Sequence, residues 1–79
     1  MKYASKIKSV IQLVINNLEL EISDNTLLVE TGILDSLTII SLINSLEDEF
    51  NIEIDEEELT LENFKSILSI DAMIERTLK

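Results

Sequence analysis

The 79-residue chain has no cysteine, histidine, tryptophan or proline, and only one glycine. Without Cys or His it has no thiol nucleophile, no imidazole base, no structural zinc site and no disulfide. Calcium fares little better, because Asp55-Glu-Glu-Glu58 lacks the alternating ligands and central glycine of a calcium loop. No metal ligands are therefore assigned. One Tyr and two Phe are too few for a base-stacking platform. No apolar run approaches the roughly 18 residues of a membrane span, and no signal-peptide pattern opens the sequence. A cytoplasmic location, no membrane span and a single domain over residues 1–79 are the expectations. Catalysis would have to rest on carboxylates and hydroxyls, so an enzyme is not expected.

What the chain has in excess is acid. Six Lys plus Arg stand against sixteen Asp plus Glu, a formal charge of −10. Such a surface repels nucleic-acid phosphates and points to basic protein partners. The charge is also segregated. Residues 1–18 hold Lys2, Lys6 and Lys8 and no acid, whereas Glu19 to Glu62 hold fourteen acids and no base. Crowding of this kind is expected to raise carboxyl pKa values in the folded state, so that stability rises as pH falls modestly.

The apolar spacing predicts helices. Tyr3, Ile7, Val10, Ile11, Val14 and Leu18 recur at three and four residues, one stripe on a first helix that frays at Asn16-Asn17. Residues 19–34 lack a helical period and read as a long loop plugging the core through Leu20, Ile22, Leu27, Leu28, Val29, Ile33 and Leu34. Gly32 is placed for a positive φ before the next element. Asp35 or Ser36 caps a second helix running from Leu37 to Phe50. On it Ile39, Leu42, Ile43, Leu46 and Phe50 share one face, Leu37 points the other way, and Ile40 sits on the border. Asp55 has capping spacing for a short helix, Thr60 to Phe64 suits another turn, and Ser66 caps a last helix. In that helix Ile67, Ile70, Met73 or Ile74, and Leu78 face inward.

Ser36 is the residue with chemical promise. At a helix start, N–H groups and the macrodipole favour an anion such as an attached phosphate. With no base to activate it, Ser36 is better suited to be modified than to attack. Its bland reading is a plain cap.

The surrounding residues decide between the two. Thr31-Gly-Ile-Leu-Asp-Ser-Leu37, followed by Ser-Leu-Glu-Asp-Glu-Phe50, Asn-Ile-Glu-Ile-Asp-Glu-Glu57 and Ser66-Ile67, resembles the acyl carrier and peptidyl carrier proteins over essentially the whole chain. The resemblance implies an all-α, four-helix bundle with a long first loop and a short third helix. It implies that a phosphopantetheinyl transferase attaches 4′-phosphopantetheine from coenzyme A to Ser36, and that the arm's thiol holds acyl or aminoacyl groups as thioesters. Asp35 would help the transferase recognise the site. Loading and processing enzymes with basic docking patches would meet Leu37, Ile40, Glu47 and Asp48 of a monomeric carrier.

One departure bears on partners. Carriers of fatty-acid synthesis usually have acids at the second and fifth positions after the serine, where this chain has Thr38 and Ser41. Its acids gather at Glu47, Asp48, Glu49 and from Glu53 to Glu58 instead. The Gly32-Ile-Leu-Asp-Ser-Leu37 form also resembles discrete carriers of specialised acyl, polyketide or aminoacyl pathways. The alternative is an acidic helical docking module without a prosthetic group.

Overall fold

The computed structural model describes residues 2–78, and among them there are helices and turns but no strand. Three α-helices form the frame: α1 (Ala4–Ile15), α2 (Ser36–Phe50) and α3 (Ile67–Leu78). The expected four-helix count is corrected to three. In place of a short third helix stand two single 3₁₀ turns, Glu56–Glu58 and Glu62–Phe64. Asp55 does accept the Glu57 N–H at 3.1 Å, as its capping position suggested. The backbone then leaves the helical path at Leu59 (φ −81°, ψ 68°), so one turn forms and no second can follow it.

The first two α-helices end for a local reason. Asn16 and Asn51 close α1 and α2 in the left-handed conformation, which Asn tolerates better than most residues. Gly32 takes φ +82° ahead of α2, as its position predicted. Ser66 Oγ accepts the Ser69 N–H at 3.2 Å at the start of α3.

The core joins Ile7, Val10 and Ile11 of α1, Leu42 and Leu46 of α2, and Ile67, Ile70, Met73 and Ile74 of α3. The long loop adds Ile22, Leu28 and Leu34, while Ile54 and Phe64 come from the segment between α2 and α3. Three leucines expected inside are exposed: Leu18 (68%), Leu27 and Leu78. Leu18 lies beyond the end of α1, so the helical stripe no longer steers it inward. The loop is fastened by backbone bonds, Leu28 N–H to Lys65 C=O at 2.8 Å and Leu68 N–H to Asp24 C=O at 3.1 Å. It thereby delivers Asp35 and Ser36 to a defined point on the surface.

Candidate functional site

Asp35, not Ser36, is the cap of α2. Its backbone is extended, and its Oδ1 accepts the N–H groups of Leu37 at 3.0 Å and Thr38 at 2.9 Å. Thr38 answers in the other direction, its hydroxyl oxygen accepting the Asp35 N–H at 2.7 Å. This reciprocal pair is a capping box, with threonine in the position more often held by Glu or Gln. The bond from the Thr38 N–H, then that from the Thr38 hydroxyl, hold the Asp35 carboxyl below its ordinary pKa. The spacing Asp35-x-x-Thr38 was visible in the sequence, and that was the signal for Thr38.

Ser36 is thus the first residue inside the helix, exposed, with its capping duty taken by its neighbour. A hydroxyl here is open to modification at little cost to the fold. The anion-binding expectation needs a correction, however. The Leu37 and Thr38 N–H groups already serve the Asp35 carboxylate, so they are not free donors for a phosphate on Ser36. A phosphodiester at Ser36 fits in solvent, clear of that carboxylate, rather than cradled by the helix end.

The other expected residues spread along α2. Leu37 is 76% exposed and Ile40 59%, so both are open apolar side chains beside Ser36. Asp48 is exposed further along. Glu47 is half-buried, and its Oε2 accepts the Ile54 N–H at 2.8 Å, which pins the turn after α2. At 100° per residue Ser36 shares a stripe with Ile40, Ile43 and Glu47. Beside that stripe lies an apolar cleft of about 120 Å³, lined by Ile39, Ile43, Leu59, Leu61 and Phe64. Sequence reading missed this cleft, because residues 59–64 carry no periodicity that would place them against α2.

A second missed feature is Arg76. Its guanidinium donates to Glu58 at 3.0 and 3.2 Å and to Asn63 Oδ1 at 3.2 Å. No sequence signal joins residues 18 positions apart. The Arg76 hydrogen bond is the main reason the Glu58 carboxyl sits below its ordinary pKa.

Comparison with known proteins agrees with this geometry. Residues 5–74 match the family described as "Phosphopantetheine attachment site". The chain is also 44% identical over 71 residues to an acyl carrier protein of Buchnera aphidicola subsp. Baizongia pistaciae (strain Bp), covering 90% of this chain and 88% of that protein. The chain belongs to the phosphopantetheine attachment site family. It is a carrier with covalently attached 4′-phosphopantetheine rather than an enzyme, and the reading as a docking module without a prosthetic group falls. The family works with transferases and biosynthetic enzymes. No helix among the described residues is long and apolar enough to cross a membrane.

Proposed function

We propose that Ser36 is the attachment residue and that the carrier serves a specialised acyl, polyketide or aminoacyl pathway. The observation that carries the first half is an exposed hydroxyl at the first position of α2, relieved of capping by Asp35. In the attachment step the Ser36 oxygen forms a phosphodiester bond to the pantetheine-bearing phosphorus of coenzyme A. The bond to the nucleotide phosphate breaks, and the hydroxyl proton passes to the transferase. The arm supplies the thiol that a cysteine-free chain lacks, and with it thioester chemistry. Asp35 keeps Ser36 in place through the capping box and offers a carboxylate to the transferase beside the reacting oxygen.

The pathway reading rests on the outer face of α2. Leu37 and Ile40 are exposed there, and Thr38 and Ser41 are uncharged, so the surface next to Ser36 is apolar and neutral. Loading and processing enzymes dock on Leu37 and Ile40 through an apolar slot. Their basic patches meet Glu47 and Asp48 further along, where charge raises the association rate more than the final affinity. The carrier acts as a cytoplasmic monomer of one domain. Acyl cargo on the arm finds the cleft between Ile39, Ile43 and Leu61 within reach on the same side of α2.

Intact mass after incubation with coenzyme A, magnesium and a promiscuous phosphopantetheinyl transferase tests the attachment. An increment of one phosphopantetheine on the wild type and none on Ser36→Ala is the expected result. An increment that persists on Ser36→Ala places the arm elsewhere and overturns the assignment.

A further inference from the structure

The outer wall of the cleft is anchored unusually. From Asp55 to Asn63 no residue is buried, and the nearest core anchors are Ile54 before the span and Phe64 after it. Within the span the backbone makes only single-turn bonds, such as Glu58 N–H to Asp55 C=O at 2.9 Å and Asn63 N–H to Thr60 C=O at 3.2 Å. Turns of that kind hold themselves weakly. Leu59, Thr60 and Leu61, which face Ile39 and Ile43 across the cleft, lie in the middle of this span.

One side chain ties the middle down. Arg76 of α3 reaches Glu58, at the end of the first 3₁₀ turn, and Asn63, inside the second. Asn63 closes the triangle, its Nδ2 donating to the Glu58 carbonyl at 2.8 Å and to Glu58 Oε1 at 3.2 Å. Leu59 to Leu61 are therefore held between two points that share a single guanidinium. The planar fork suits this, since Nε and Nη2 meet the Glu58 carboxylate together while Nη2 also reaches Asn63, a fixed geometry that lysine's rotatable ammonium does not reproduce. The cleft so bounded is small, about 120 Å³. That space suits a short alkyl segment.

We propose that Arg76, by bridging Glu58 and Asn63, holds the Leu59–Leu61 wall against α2 and limits the sheltered cargo to a short acyl chain. The inference rests on the reading that cargo on the Ser36 arm lodges in this cleft. Arg76 is a positioning residue, acting through Glu58 and Asn63 and touching no cargo itself. Released from it, the wall swings away from Ile39 and Ile43 about its ends at Ile54 and Phe64, and the cleft lengthens.

The test uses the full chain as wild type, Arg76→Gln and Arg76→Lys, each loaded from butyryl-, hexanoyl-, decanoyl- and tetradecanoyl-coenzyme A. Intact mass first verifies the acyl arm, so a failure of attachment is read separately from a failure of this proposal. The measured quantity is the thioester lifetime against hydroxylamine, relative to the matching free acyl-pantetheine. In the wild type, protection should rise to hexanoyl and then level off. In Arg76→Gln the plateau should move to decanoyl or beyond, with lifetime growing up to about fourfold for each methylene newly sheltered. Arg76→Lys should follow Arg76→Gln in its length profile. Loss of stability alone would shorten all lifetimes alike and leave the plateau where it was. A plateau at the same chain length in wild type and Arg76→Gln overturns the proposal, as does a wild type that already shelters tetradecanoyl fully.

Discussion

The Tyr3 N–H donates to Asp71 Oδ2 at 2.8 Å, joining the start of α1 to a buried carboxylate of α3. The bond spans 68 positions and serves a donor at the helix start, where the chain offers no side-chain cap of its own. Tyr3 also meets Phe50 edge-on, with ring centroids 5.4 Å apart, so all three helices converge at this pole. Asp71→Ala should remove the acceptor and destabilise the protein by about 1–3 kcal/mol, through a half-buried donor left without its partner. Asp71→Asn retains a carbonyl acceptor and should cost clearly less. Urea unfolding of the two variants checks the order, and equal costs would show that the hydrogen bond is not the source.

Capping duty separates two adjacent residues. Asp35→Ala removes the acceptor for the Leu37 and Thr38 N–H groups and should cost about 0.5–2 kcal/mol. Ser36→Ala should stay within about 0.5 kcal/mol of wild type, as surface changes outside such features do. Thermal melts followed by circular dichroism distinguish them. A larger loss at Ser36 than at Asp35 would contradict the capping assignment.

The pH dependence of these sites runs against the expectation drawn from acid crowding. Asp35 and Glu58 both have folded-state pKa values below their ordinary ones, through the Thr38 N–H and the Arg76 guanidinium respectively. A depressed carboxyl pKa contributes stability that is fully present above the unfolded value and is lost as pH falls through the folded one. The stability gap between wild type and Asp35→Asn, or Glu58→Gln, should therefore be full at neutral pH. It should close as pH falls from about 4 downward. Denaturant midpoints across that range provide the measurement. A gap that widens in acid would reverse the sign and refute the attribution.

Leu37→Ala and Ile40→Ala should leave folding nearly unchanged, because both side chains are largely exposed. Binding to the cognate loading enzyme should weaken by up to about 1.5–3 kcal/mol for a side chain fully buried in the complex. The charge graft Thr38→Asp with Ser41→Glu should instead improve loading by enzymes of general fatty-acid synthesis. It keeps a side-chain acceptor at position 38 for the Asp35 N–H. Loading assays with both enzyme classes decide the matter. If the wild type already serves the fatty-acid enzymes well and the graft changes nothing, the specialised-pathway reading is wrong.

The helical frame and the residue proposed to carry the arm are both legible from local pattern. Apolar residues at three- and four-residue spacing commit α1, α2 and α3 to one buried stripe each, and that information is local. Asp35-Ser36-Leu37 is likewise a contiguous motif, legible without a fold. The rest depends on long-range packing. Between α2 and α3 no period operates, so the competition between one short helix and two 3₁₀ turns is settled by burial of Ile54 and Phe64 at either end and by Arg76 across the middle. Asp71 shows the same limit, since an acid inside an apolar helix stripe is anomalous until the Tyr3 N–H arrives from the far end of the chain. Contacts between residues distant in sequence depend on how helices pack, and helical periodicity specifies which face is buried but not what it meets there.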